Sequence, residues 1–247
     1  MLTRKRIHIL TIGLLMGSLM PLCVQSQTSD TITPEQQQEL WKQPDFVKAY
    51  YVVCDQGRAL YTIFGHACLH LICPTYNLDY YFSYESEDAA KKFWQFLKGD
   101  LKMGMTALTP EEYLSDYEKD GRGVREYELN LPIDVKRELW RVLDQHALEG
   151  MNLPYDFESR GCAYACLLAL EEALNGKQMN FADWTIDFER SRREICYDFA
   201  KDSYPWNLLT LMVIVGVEGD KEVDYKDKLV LPNILKDALQ EATLDGE

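Results

Sequence analysis

The segment 162–174 constrains the fold more than any other stretch of this sequence. It reads Cys-Ala-Tyr-Ala-Cys-Leu-Leu-Ala-Leu-Glu-Glu-Ala-Leu and is soon followed by Gly176, a residue type that often ends a helix. On a helix with 3.6 residues per turn, its apolar side chains cover the cylinder nearly all round instead of forming one stripe. A helix of that kind is buried, so the sequence predicts a fold that packs other elements around it.

Strand-like segments precede this helix. Residues 49–54, 59–72 and 79–84 are rich in Tyr, Val, Ile and Leu, and the connections between them contain Gly, Pro and Asn, which predicts an antiparallel meander. Residues 124–129 predict one more strand. Capping signals and apolar periodicity predict helices after Thr33, over 86–97, after Thr109, over 132–148, over 187–202 and over 232–242. Residues 205–217 form an apolar segment.

Together these elements predict an α+β fold. A small antiparallel sheet packs on the central buried helix that carries Cys162, and additional helices lie at the periphery. The length of the chain is sufficient for one sizeable core. We therefore expect a single domain over residues 27–247.

The first 26 residues have the pattern of a secretory signal peptide. Arg4, Lys5 and Arg6 precede an apolar stretch over 7–22, and cleavage is expected after Ser26. Cys23 raises the alternative of a lipid anchor, but Met-Pro-Leu before it lacks the small residue expected next to a lipidated cysteine. No later segment is long and apolar enough to cross a bilayer. The sequence predicts an exported protein of the periplasm or cell surface.

The net charge of the chain limits the kinds of partner that it can bind. The chain has 26 Lys and Arg against 40 Asp and Glu, a formal charge of −14, and removal of Arg4, Lys5 and Arg6 with the signal peptide makes it 23 − 40 = −17. Such a domain repels nucleic acid. Six of the seven cysteines follow residue 26, at spacings that show neither a disulfide framework nor paired metal knuckles. A zinc site of His66, Cys68 and His70 is an alternative, but its fourth ligand is undetermined.

Cys162 is the candidate nucleophile. Gly161 precedes it and places it in the first turn of the buried helix, where free N–H groups and the helix dipole stabilise a thiolate. The backbone N–H groups of Cys162 and Ala163 are candidate donors to an oxyanion. Arg160, beside them, is a candidate contact for an anionic substrate group, or else a solvated charge.

His66 is the candidate partner of Cys162. It follows Gly65 at the start of a strand, where alternation places it on the same face as Cys68 and His70. An imidazole can activate a thiol and return its proton. A third residue should orient the ring, and the next strand offers Asp79, Ser83 and Tyr84, among which the charge of Asp79 is favoured.

Several motifs resemble one bacterial family, the Lnb N-terminal periplasmic domain family. They are Cys54-Asp55-Gln56-Gly57, Tyr61-Thr62-Ile63-Phe64-Gly65-His66-Ala67, Gly121-Arg122-Gly123-Val124 with Leu129-Asn130-Leu131, Tyr155-Asp156-Phe157 ahead of Cys162, Pro205-Trp206, Gly216 to Asp220, and Leu231-Pro232 with Leu235 to Leu239. The resemblance implies a circularly permuted papain-like fold of the NlpC type, with lipoprotein acyl transfer in at least one branch. It places the family histidine at His66 and the family cysteine at Cys162.

Two departures from the family pattern bear on activity. Arg160-Gly161 stands where the family usually has Asp-Asn, so a side-chain amide donor to the oxyanion is missing. His70 stands where the family tends to have arginine, and Ser83-Tyr84-Glu85 stands where it has Asn-Tyr-Gly. Both departures put turnover and substrate in question.

Three functions follow as hypotheses. The first is a thiol acyltransferase or amidohydrolase without metal or organic cofactor, which acts on a cell-envelope lipid, lipoprotein or peptidoglycan peptide. The second is an inactive binding or accessory module of the cell envelope that retains the fold. The third is a structural role in which Cys162 and Cys166, one helical turn apart, take part in disulfides.

Overall fold

A computed structural model describes residues 33–59, 62–88, 91–98, 100–150, 153–155, 160–186, 189–201, 205–214, 216–221 and 225–245. The predicted signal peptide and Cys23 lie outside these residues. The architecture is α+β, as the sequence predicts, with an antiparallel sheet and several helices.

Six strands form the main sheet, and every neighbouring pair in it is antiparallel. Their order across the sheet is β5-β1-β2-β3-β4-β6. The first three strands in sequence are neighbours, which confirms the predicted meander. The strands are β1 (Lys48–Cys54), β2 (His66–Cys73), β3 (Leu78–Ser86), β4 (Leu101–Leu108), β5 (Val124–Glu128) and β6 (Leu153–Tyr155), and a separate pair is formed by β7 (Met179–Asn180) and β8 (Thr243–Leu244).

Helices lie before and between these strands in the chain. They are α1 (Pro34–Trp41), α2 (Phe93–Lys98), α3 (Pro110–Asp120), α4 (Ile133–Glu149), α5 (Cys162–Ala173), α6 (Asp183–Ile186), α7 (Arg192–Ala200), α8 (Pro205–Ile214), α9 (Tyr225–Lys228) and α10 (Pro232–Glu241). Within the described residues, no helix is long and apolar enough to cross a membrane.

Capping residues explain where two of these helices begin. Thr33 and Thr109 each accept a hydrogen bond from the backbone N–H three residues later, and Gln36 and Glu112 reach back to the N–H of the capping threonine. These are the capping boxes that the sequence predicts. α7 begins in the same way: Ser191 caps it, and its first residue, Arg192, lies five residues after the predicted start at 187.

The central helix α5 lies in the interior of the molecule, as predicted. Ala163, Cys166, Leu167 and Leu170 are buried against one face of the sheet and against α4 and α10. The Tyr51 hydroxyl donates to the carbonyl oxygen of Pro232 at 3.1 Å and ties β1 to the start of α10. The other face of the sheet is covered by α3, whose Tyr113 packs on a smaller apolar cluster.

The segment between β3 and α3 differs from the prediction. Instead of a helix over 86–97, β3 continues through Ser86, α2 begins only at Phe93, and β4 follows at Leu101. Leu101, Met103 and Met105 are buried while Lys102 between them is exposed, which is a strand period of two. Leu and Met are also good helix formers, so pairing with β3, and not local preference, decides this strand.

Candidate active site

Cys162 is the first residue of α5. Gly161 caps the helix in an extended conformation, with no side-chain hydrogen bond to the cap. A Cβ atom added at Gly161 would meet nothing within 4 Å, so the space beside this glycine is open. The N–H groups of the first helical turn have no partner inside the helix, and they surround the thiol with donors.

Gly65 sets the position of His66. Its φ of +77° lies in the left-handed region, and a Cβ atom there would lie 2.3 Å from the carbonyl oxygen of Cys54. Only glycine fits such a turn. The turn places His66 at the start of β2, where it pairs with Cys54 of β1.

The Cys162 thiol and the His66 imidazole interact directly. Burial alone raises the pKa of the Cys162 thiol, but the charge of His66, a hydrogen bond with it and the backbone N–H of Ala67 bring that pKa below its ordinary value. Burial likewise lowers the pKa of His66, but the charges of Cys162 and Glu85 outweigh it and raise that pKa to about 9. Both shifts favour a thiolate–imidazolium pair at neutral pH.

Two further polar side chains continue the hydrogen bonding from the imidazole. His66 Nε2 is 2.8 Å from Ser83 Oγ, and the Ser83 hydroxyl donates to Glu85 Oε1 at 2.6 Å. The same carboxylate oxygen lies 3.5 Å from His66 Nε2. Ser83, one of the three candidate third residues, is thus the one whose side chain hydrogen-bonds to His66, and Glu85 supplies the negative charge.

A cleft of about 540 Å³ lies beside the Cys162 thiol and the His66 imidazole. Gly161, Cys162 and His66 lie in its wall, and the helix α3 contributes an acidic side. Among the residues that line the cleft are Phe64, Tyr84, Glu85, Glu112, Tyr113, Asp116, Tyr117, Asp120, Arg122, Tyr155, Leu231 and Pro232.

Asp79 and Tyr84 have other partners. Asp79 Oδ1 lies 2.7 Å from Nε2 of His70, at the far end of β2 from His66. The buried Tyr84 hydroxyl is 2.8 Å from Nδ1 of His146, although its ring lines the cleft. The structure therefore brings neither side chain to the His66 ring.

His70 belongs to a separate buried cluster. Its Nδ1 lies 3.0 Å from Glu126 Oε1, so both ring nitrogens face a carboxylate. Carboxylates only accept hydrogen bonds, and an imidazole that donates from both nitrogens is charged. The ring also stacks on Tyr81 with centroids 4.0 Å apart, and the Tyr81 hydroxyl donates to Glu126. His70 is not among the residues that line the cleft.

The remaining predicted residues flank the pair. Arg160 is exposed and does not line the cleft. The Ala163 side chain is fully buried, so its contribution to the site is limited to its backbone N–H.

Two residues at the cleft were missed as site residues by the reasoning from sequence. Glu85 shares a strand face with Ser83, so alternation along β3 is a signal that points to it. Arg122 donates from Nε to the carbonyl oxygen of Asp55 at 2.7 Å and lies over the Tyr117 ring at 4.8 Å. Its Nη2 is buried without a hydrogen-bond partner at the wall of the cleft. The motif Gly121-Arg122-Gly123-Val124 contains this position, but nothing in that motif assigns the Arg122 side chain to the cleft.

Metal and disulfide chemistry were the alternatives for these side chains. Among the described residues, no group of three or more His, Cys, Asp and Glu side chains is arranged to hold a metal ion. The six described cysteines, Cys162 and Cys166 included, are free thiols. The thiol of Cys162 is therefore available to its imidazole neighbour.

These features define an α+β domain with a thiol–imidazole pair where a buried helix meets an antiparallel sheet. The model of the Lnb N-terminal periplasmic domain family matches residues 37–191, more than half of the chain. The chain belongs to this family, and it is an exported, periplasmic protein. The match includes His66 and Cys162 and ends before α7, so the resembling segments after residue 205 lie beyond it. No curated protein and no solved structure matches the chain.

Proposed function

We propose that this protein is a thiol acyltransferase or amidohydrolase that acts on an ester or amide of the cell envelope. The observation that carries the proposal is the hydrogen bond between the Cys162 thiol and the His66 imidazole in the wall of an open cleft, together with pKa shifts that favour the charged form of each. A lowered thiol pKa beside an imidazole is the usual state of a nucleophilic cysteine. The substrate class is an envelope lipid, a lipoprotein or a peptidoglycan peptide.

The first half of the reaction forms a thioester. The Cys162 thiolate attacks the carbonyl carbon, and the N–H groups of residues 162 and 163 donate to the oxygen as it gains negative charge. Ser83 Oγ hydrogen-bonds to Nε2 of His66, so Nδ1 is the ring nitrogen that remains for the thiol. The imidazolium gives its proton to the leaving alkoxide or amine while the C–O or C–N bond breaks.

The second half releases the acyl group. Water or an acceptor amine loses a proton to the neutral imidazole and attacks the thioester, and the thiolate leaves. Ser83 and Glu85 hold the ring in one orientation throughout and stabilise its charged form, as the third residue does in related triads. Backbone donors replace the side-chain amide that Arg160-Gly161 lacks.

The circularly permuted papain-like fold belongs to the same proposal. Two features support it: the histidine strand β2 precedes the cysteine helix α5 in the chain, and α5 packs its thiol end against an antiparallel sheet.

Alkylation by iodoacetamide tests the reactive pair. We expect Cys162 to react fastest among the six thiols at pH 7, with His66→Ala at least tenfold slower because the imidazolium no longer stabilises the thiolate. His70→Gln is the matched control, since His70 lies on the same strand but outside the cleft, and it should react like the unmodified protein. Equal rates for all six thiols would contradict the pair.

Acyl transfer is tested with a p-nitrophenyl ester of a short fatty acid. We expect one equivalent of nitrophenol in a burst and an acyl adduct at Cys162 by peptide mass, both absent in Cys162→Ala. Fast alkylation without an adduct from this ester or from a p-nitroanilide would overturn the transferase and favour the binding module. An adduct at another residue would place the nucleophile elsewhere.

A further inference from the structure

One side of the helix α8 is apolar and exposed. Trp206, Leu209 and Val213 are 79%, 54% and 72% exposed, and Val217 in the turn after the helix is 80% exposed. Spacings of three and four residues place side chains on the same side of a helix. Trp206, Leu209 and Val213 thus share one side of the helix, and together with Val217 we call them the α8 face.

The helix has no charged side to turn to water. Residues 205–214 read Pro-Trp-Asn-Leu-Leu-Thr-Leu-Met-Val-Ile, without an ionisable side chain. The opposite side of the helix, with the fully buried Leu211, packs on an apolar cluster that includes Ile195 and Leu231. A helix at the surface of a soluble protein normally exposes polar side chains. The α8 face thus has the composition of a surface that contacts another apolar medium.

The stretch of sequence that contains α8, residues 190–221, has no net charge, although the chain is strongly acidic. Residues 190–221 contain five basic and five acidic side chains, against 26 and 40 in the whole chain. Two carboxylates close to α8 in the chain are paired, Asp198 with Arg190 and Asp220 with Arg193. This stretch therefore adds less repulsion from lipid phosphates than the acidic remainder of the chain does.

The size of the α8 face suits a bilayer better than a second copy of the chain. A ten-residue helix is about 15 Å long, and covering four such side chains removes about 400–500 Å² from water. A stable protein complex buries about 800 Å² on each partner, and two copies of like net charge repel each other. An interfacial helix needs only to place its apolar side at the headgroup boundary, where Trp is favoured.

We propose that α8 is a peripheral membrane-binding helix that seats the domain on a phospholipid bilayer through Trp206, Leu209, Val213 and Val217. Leu231 connects this helix to the candidate active site, because it belongs to the apolar cluster under α8 and also lines the cleft. Docking of α8 holds the cleft near the lipid surface. The proposal does not depend on whether Cys162 reacts.

Vesicle flotation tests this docking. The chain used begins at Gln27, so it contains every described residue and lacks the apolar segment 7–22 and Cys23. We expect it to float with phosphatidylcholine vesicles, and the double variant Leu209→Glu/Val213→Glu to float at least tenfold less. Leu148→Glu is the matched control: this residue is 64% exposed at the end of α4, outside the α8 face, and its variant should float like the unmodified chain.

Fluorescence supplies a second readout that does not rely on the double variant. Brominated phosphatidylcholine should quench the unmodified chain, and Trp206→Phe should lose most of that quenching while it still floats. Failure of the unmodified chain to float, or equal flotation of the double variant, overturns the proposal. So does a dimer in sedimentation velocity that the double variant abolishes without any flotation, because the α8 face then contacts a second copy.

Discussion

The two histidines of β2 show how much depends on the position of a single residue. His66 and His70 lie on the same face of the strand, four residues apart. His66 meets a thiol at the cleft, whereas His70 is enclosed between Asp79 and Glu126. One histidine is therefore placed to exchange a proton with a neighbouring thiol, and the other lies in a structural cluster whose carboxylates raise its pKa.

Ser83 is expected to position His66. In Ser83→Ala, Nε2 of the ring loses its partner, and we expect the thiol to alkylate roughly tenfold more slowly at pH 7, because a hydrogen bond to a charged group contributes about 1.5–3 kcal/mol. The pH profile of alkylation should shift to higher pH, which a purely structural defect would not cause.

Asp79→Asn is the control for this prediction. Asp79 contacts His70 and not His66, so its variant should keep the pH profile of the unmodified protein even if its stability falls. An unchanged profile in Ser83→Ala together with a shifted profile in Asp79→Asn would contradict the assignment of Ser83.

At the scale of an element, the turn before β2 is sensitive to substitution. Gly65→Ala combines a left-handed φ with a Cβ atom 2.3 Å from a backbone oxygen. We expect a loss of roughly 2–4 kcal/mol in the free energy of unfolding. The melting temperature should fall by about 5–15 °C, measured by circular dichroism.

Gly121→Ala separates the two causes. Gly121 caps α3 with φ of +64°, but an added Cβ atom there meets nothing within 4 Å. Its variant should lose only about 1 kcal/mol, because the backbone conformation is its only penalty. Equal losses at Gly65 and Gly121 would show that the close approach to Cys54 does not matter.

At the scale of the whole molecule, the His70 cluster makes stability depend on pH. Burial lowers the pKa of His70, but hydrogen bonds to Glu126 and Asp79 outweigh it and raise that pKa above 6.5. A raised histidine pKa stabilises the fold fully below pH 6.5 and loses this contribution as pH rises through the folded pKa. The pKa of Glu126 is lowered, first by its bond to His70, so its contribution is lost below about pH 4.5.

The cluster should thus contribute most between about pH 4.5 and 6.5. Urea unfolding of the unmodified protein and of His70→Gln measures this contribution as the difference between them. We expect that difference to be largest near pH 6 and to shrink by pH 9. A constant difference across this range would mean that His70 does not titrate in the folded state.

Local signals in the sequence are sufficient for much of this fold. Three signals are each encoded within a few residues: the capping boxes at Thr33 and Thr109, the largely apolar sequence of 162–174, and the glycine before His66. Residues that are close in the chain therefore determine these features. These signals predict the buried helix, the meander and the two candidate residues Cys162 and His66. The family resemblance includes one of these signals, the glycine before His66.

Tertiary structure alone decides which side chains meet. The register that pairs Leu69 with Phe82 brings the His66 end of β2 to Ser83 and Glu85 and leaves Asp79 beside Ile72 at the other end. The negative charge of Asp79 favoured it as the residue that orients His66. The distance between two side chains on neighbouring strands depends on register, however, and no short stretch of sequence encodes register. By itself the sequence determined that a thiol begins the most buried helix; the pairing of strands decided which groups orient the imidazole beside it.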